Sequence, residues 1–180
     1  AWNEVAVAER TSREAVGEMR TWVRALSPVR AENGRGVAGL EAVAASFRGT
    51  GLEVRVRDEL GPYELAEAAE LLMYRTVQEG LTNALRHSRA RTVDILAAAS
   101  SDGLLISVAN DIPADRRQAV PQALVGEDDG ASAGFGVSGL SERAAEMGGR
   151  VTAGRIGDSF LLTLMLPYRQ LATPLRPEAS

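Results

Sequence analysis

One stretch, Gln78 to His87 (Gln-Glu-Gly-Leu-Thr-Asn-Ala-Leu-Arg-His), constrains this chain more than any other, because it sorts two kinds of residue onto two faces of one helix. At about 100° per residue, Glu79, Asn83, Arg86 and His87 share one sector, while Met73, Val77, Leu81, Ala84 and Leu85 fall opposite. One face builds a core; the other faces something polar. The pattern predicts a helix over about residues 63–88, entered through the turn Gly61-Pro62.

The polar sector has two readings. A carboxylate and an amide oxygen one turn apart are hard oxygen ligands of the kind Mg²⁺ accepts, and that ion completes its shell with water and phosphate oxygens. Arg86 and His87 would then stand beside it as phosphate donors. The plainer reading is the solvated face of an ordinary amphipathic helix.

The rest of the chain supplies a two-part frame. Residues 1–27 repeat Val5, Ala8, Thr11, Ala15, Met19, Trp22 and Leu26 at three- and four-residue steps, which predicts a long amphipathic helix ended by Pro28. Its stripe fits a helical hairpin or coiled dimer, or packing on its own domain. After a Gly-rich linker come a shorter helix (Val37 to Phe47) and a strand at Leu52 to Arg57. Beyond the central helix, Thr92–Ala97 and Leu104–Ala109 read as strands joined by the turn Ser101-Asp102-Gly103. Residues 111–133 lose all periodicity, as a mobile lid or a disordered insertion would. A helix from Gly134 to Met147 then stops at Gly148-Gly149, and strands Arg150–Ala153 and Phe160–Leu166 flank the turn Gly157-Asp158. The tail from Ala172 to Ser180 reads as disordered.

Composition narrows the class. With 20 basic and 24 acidic residues the net charge is −4, which gives no nucleic-acid surface. Absence of cysteine removes disulfide and thiol chemistry and fits a reducing compartment. No apolar run is long enough to span a membrane, and no signal-peptide pattern is present. The chain begins Ala1-Trp2-Asn3 inside a helical pattern without an initiator Met, which reads as a piece of a longer protein.

Gly134-x-Gly136-x-x-Gly139 adds the second motif. A dinucleotide-binding unit would place it directly after a strand, whereas here it follows a long loop. Glycines let a backbone come close to a phosphate, and free N–H groups at a helix start bind anions. A flexible hinge before a helix is the alternative.

Together these residues resemble a family. Val77 through His87 looks like the N box, and Gly134 through Arg143, ending in Gly148-Gly149, looks like the G box, of a two-component sensor histidine kinase of the NarL/DesK type. The resemblance implies an α+β fold, the two-layer α/β sandwich of the Bergerat or GHKL ATP-binding domain, with a mixed sheet and helices on one face. Residues 8–20 are similar to the second helix of the family's dimerisation and phosphotransfer hairpin. This divides the chain into part of that hairpin (1–30), a linker and short helix (31–51), an ATP-binding domain (52–167) and a tail (168–180). The first hairpin helix, with its phosphoacceptor histidine, is not in the sequence, whose sole histidine is His87.

Carried over by residue, the resemblance implies ATP and Mg²⁺ as cofactors. Asn83 would coordinate Mg²⁺, with Glu79 beside the γ-phosphate assisting the ion or the attacking imidazole. Arg86 and His87 would line the phosphate or ribose side. Gly134, Gly136 and Gly139 would hold the lid and phosphates, and Leu140 would lie against the base. Implied partners are a response regulator and a second copy through the hairpin. The kinase core would be cytoplasmic, with any membrane anchor in segments outside this chain. The family's adenine-binding D box, Asp-x-Gly-x-Gly, is altered to Asn110-Asp111-Ile112-Pro113-Ala114. Asn110 stands in the Asp place as a neutral acceptor, or a one-residue shift gives the role to Asp111. That alteration keeps a second function open, a non-catalytic interaction module on the same fold.

Overall fold

Alternation of apolar and polar residues builds the centre of a sheet. The computed structural model describes residues 36–60, 64–88, 90–116, 135–168 and 171–173. The predicted N-terminal helix, most of the predicted lid, Gly134 and the tail beyond 173 lie outside the described residues.

In chain order the elements are α1 (Val37–Arg48), β1 (Glu53–Glu59), β2 (Glu64–Leu65), α2 (Glu67–Asn83), a π-helical turn (Ala84–Ser88), β3 (Thr92–Ala99), β4 (Gly103–Asp111), a 3₁₀ turn (Ala114–Arg116), α3 (Phe135–Glu146), β5 (Arg150–Ile156), β6 (Ser159–Pro167) and β7 (Leu171–Thr173). Five strands form one sheet in the order β1-β3-β4-β6-β5. Strand β1 runs parallel to β3 and the other neighbours are antiparallel, so the sheet is mixed, as expected.

Every second strand residue points into one core. Val93, Ile95 and Ala97 of β3, Leu104, Ile106 and Val108 of β4, and Leu162, Leu164 and Leu166 of β6 are buried there. Helix α2 lays Met73, Val77 and Leu81 on them, the π turn adds Ala84, and α1 and α3 add Leu40, Phe47, Leu140 and Ala144. At about 1.5–3 kcal/mol for each fully buried large apolar side chain, this interface is the main source of stability.

One glycine sets how closely α2 meets the sheet. A β-carbon at Gly80, in the last turn of α2, would overlap the Val108 side chain of β4. Gly148 ends α3 at φ 72°, a conformation that side-chain-bearing residues resist, and the Gly149 N–H returns to the Ala144 carbonyl at 2.7 Å.

Differences from the sequence expectation are local. Strand β4 extends to Asp111, so Asn110 and Asp111 lie within a strand instead of following one. The central helix is α only from Glu67 to Asn83. Ahead of it, Glu64–Leu65 pairs with Leu171–Thr173 across a register shift, so a tail expected to be disordered from Ala172 is a strand as far as Thr173. Strands this short carry no readable periodicity.

Candidate active site

Helix α2 presents Glu79 and Asn83 one turn apart, both half-buried, on the side away from the core. Among the described residues neither side chain makes a hydrogen bond or ion pair, although buried Thr76 and Thr82 on the same helix are satisfied by the Leu72 and Gln78 carbonyls at 2.9 and 2.7 Å. Two polar groups left without protein partners in a partly dry setting are what a cation or phosphate site requires.

After Asn83 the helix widens into the π turn Ala84–Ser88, and the Ala90 N–H closes it on the Ala84 carbonyl at 3.2 Å. Such widened turns re-aim side chains at functional sites. The sector drawn at α-helical spacing therefore holds for Glu79 and Asn83 and is rotated for Arg86, which is exposed; the His87 side chain lies outside the described residues.

Helix α3 delivers Gly136 against Glu79. A β-carbon at 136 would overlap the Glu79 carboxyl carbon and both its oxygens, so the two motifs meet. Gly139 is different: a β-carbon there meets nothing within 4 Å. Leu140 is 6% exposed and belongs to the apolar core beneath.

At the far end of β4, Asn110 and Asp111 divide across the sheet. Successive strand residues point to opposite faces. Asn110 is 3% exposed on the helix side, and its Nδ2 donates to the Asp111 carbonyl at 2.9 Å. Its side-chain oxygen has no partner among the described residues, an orphaned buried acceptor. Asp111 points the other way, and its Oδ1 accepts from the Thr92 N–H (2.8 Å), the Arg91 N–H (2.9 Å) and the Thr92 hydroxyl (3.1 Å). Burial pushes the Asp111 carboxyl up, but these donors from Thr92 and Arg91 outweigh it and hold the group below the usual carboxylate range. Ile112, where the D-box pattern has glycine, is buried, with its N–H on the Asp158 carbonyl at 2.9 Å.

These donor sets fit Mg²⁺ and ATP. Among the described residues no three acidic, histidine or cysteine side chains converge, so an ion held by Asn83 and Glu79 would draw its remaining ligands from water and phosphate, as Mg²⁺ does. The orphaned Asn110 oxygen suits an exocyclic amino group. Sequence reasoning missed the part played by Arg91 and Thr92, whose backbone N–H groups carry no residue signature. It also passed over Gly80, whose signal was a glycine inside a helix. Among the described residues no helix is long and apolar enough to cross a membrane.

The mixed five-stranded sheet with helices on one face is the GHKL-type ATP-binding fold. More particularly, the chain belongs to the histidine kinase-, DNA gyrase B- and HSP90-like ATPase family, which matches residues 68–169. It is 30% identical over 149 residues to the sensor histidine kinase LnrJ of Bacillus subtilis, covering 82% of this chain and 33% of that protein. To the sensor histidine kinase LiaS of the same organism it is 26% identical over 146 residues, covering 81% and 37%. The chain thus spans about a third of the length of these curated relatives. The histidine kinase domain of the blue-light activated histidine kinase from Erythrobacter litoralis EL346 shares the fold, with a TM-score of 0.55 at 19% identity over 74% of this chain and 61% of that one.

Proposed function

We propose that this chain is the ATP-binding catalytic portion of a sensor histidine kinase, which transfers the ATP γ-phosphate to a histidine for relay to a response regulator. The observation that carries the reading is the pair Glu79 and Asn83, without a partner among the described residues, with Gly136 seated on the Glu79 carboxyl. In phosphoryl transfer, positioning and charge neutralisation supply most of the rate. Mg²⁺-bound ATP brings the phosphoryl group and compensates its charge.

The chain's own residues then have separable tasks. The Asn83 amide oxygen holds the ion, and the Glu79 carboxylate stands beside the transferring phosphate to orient the incoming imidazole. Asn110 accepts from the adenine amino group. Gly136 admits the backbone to the phosphates, flanked by Gly134 and Gly139, while Arg86 and His87 line the phosphate or ribose side and Leu140 backs the base. Because His87, the one histidine in the sequence, belongs to the N box, the acceptor imidazole comes from a further segment. Residues 1–30 form part of a dimerisation hairpin that presents it, residues 31–51 link that hairpin to the ATP-binding domain at 52–167, and the core operates in the cytoplasm.

The test is phosphorylation of the full-length protein with γ-labelled ATP. Acid-labile label on histidine, lost in Asn83→Ala with the fold retained, supports the reading. Label that survives Asn83→Ala contradicts the metal assignment.

A second reading rests on Ile112. Its buried side chain and bonded N–H replace a flexible glycine at the edge of the base site, which favours an interaction module that no longer needs nucleotide. Such a module would bind no ATP analogue at millimolar concentration.

A further inference from the structure

We propose that Asp111 is a positioning residue, a clasp that fixes the Asn110 strand end against the exit of the Glu79–Asn83 helix, and is not itself a nucleotide ligand. The assignment rests on the nucleotide-site reading above and deepens it.

The ladder between β3 and β4 ends at the pair Val93 and Asn110. One step beyond, where the next backbone pair would form, the Asp111 side chain takes over and binds the Arg91 and Thr92 N–H groups and the Thr92 hydroxyl with a single oxygen. The other side of the same dipeptide is held by β1, whose Glu53 N–H donates to the Arg91 carbonyl at 2.9 Å. Arg91 directly follows Ala90, the residue that closes the π turn on Ala84. The clasp therefore reaches, through three consecutive residues, the turn that follows Asn83.

Its other end is equally defined. Asn110 donates to the carbonyl of Asp111, and the next N–H, from Ile112, donates to Asp158 in the turn between β5 and β6. One carboxylate thus ties the base-side acceptor to the helix exit on the phosphate side. A direct ligand role would need Asp111 on the helix face of the sheet, and strand alternation puts it on the opposite face. The acceptor function, not the negative charge, is what the three donors use, so an amide oxygen serves in its place.

The experiment compares Asp111→Ala, Asp111→Asn and Asn110→Ala in this chain. It uses amide hydrogen exchange by NMR and titration with a Mg²⁺-bound non-hydrolysable ATP analogue. In Asp111→Ala the Arg91 and Thr92 amides and those of Ala84–Ser88 lose protection while the β6 amides keep theirs, and analogue affinity falls about tenfold. Asp111→Asn restores protection and brings affinity to within about threefold of the original. Asn110→Ala loses affinity with the Arg91 and Thr92 amides still protected. Unchanged protection of those amides in Asp111→Ala overturns the clasp, and an Asp111→Asn affinity as poor as that of Asp111→Ala overturns the positioning role in favour of a charged ligand. If Asp111→Ala does not fold, Asp111→Ser, whose shorter side chain withdraws the acceptor from both N–H groups, decides through the same amides: unaltered exchange at Arg91 and Thr92 contradicts the clasp. Failure of the original chain to bind the analogue strikes at the nucleotide reading alone, since the exchange pattern still decides the clasp.

Discussion

The Glu79 carboxyl group occupies the space that a β-carbon at residue 136 would need. This single apposition joins the two sequence motifs, since Glu79 rides on α2 and Gly136 opens α3. Gly136→Ala must push the carboxyl, the free end of a flexible side chain, into another rotamer, at about 0.5–1 kcal/mol. Gly139→Ala, in open space within the same helix, should stabilise by about 0.5–1 kcal/mol through helix propensity. Urea unfolding of the two variants checks the contrast, and equal effects would mean that the two helices do not meet at Gly136.

A similar argument applies in the core. Gly80→Ala drives a methyl into Val108 and should cost about 1–3 kcal/mol. Adding Val108→Ala removes the obstructing methyls, so the double variant should be less destabilised than the sum of the singles. Thermal unfolding of the four proteins measures that coupling, and simple additivity would place the helix farther from the strand.

Near the start of α1, the Gly36 N–H and the Tyr74 hydroxyl both donate to Glu70 Oε1, at 2.6 and 2.7 Å. Tyr74→Phe removes one of these bonds and should cost about 1 kcal/mol. Gly39→Ala should be worse, since its β-carbon would overlap the Tyr74 ring and hydroxyl. Equilibrium unfolding ranks the two, and a neutral Gly39→Ala would contradict the packing of α1 on α2.

Asp111 gives stability a defined pH dependence. Its carboxyl is held below the usual range in the folded chain, with burial opposing and the Thr92 and Arg91 donors prevailing. The unfolded chain therefore binds the proton more readily, so the contribution is complete above the ordinary Asp pKa of about 4 and is lost as pH falls through the lower folded value. The stability difference between the original chain and Asp111→Ala should be full near pH 7 and shrink on acidification below about pH 4. A difference independent of pH over that range would deny the shift.

Much of this was legible in the residues. Opposite faces of the central helix follow from its spacing, and Met73, Val77 and Leu81 are buried while Glu79 and Asn83 stand clear. What could not be read depends on contacts that no local pattern announces. The π turn at Ala84–Ser88 closes on Ala90 just before β3, and no local propensity announces it. Which of Asn110 and Asp111 faces the helices depends on the length of β4: once the strand runs through both, alternation sends them to opposite faces. The pairing of Leu171–Thr173 with Glu64–Leu65 joins segments about a hundred residues apart, too short to show a period.

We infer that Glu79, Asn83, Gly136 and Asn110 build a Mg²⁺-dependent ATP site. The most direct measurement is calorimetric titration of this chain with a non-hydrolysable ATP analogue, with and without Mg²⁺. Saturable micromolar to submillimolar binding that requires Mg²⁺ and is lost in Asn83→Ala is the expected result. No binding at millimolar analogue, or binding indifferent to Mg²⁺ and to Asn83, would contradict it.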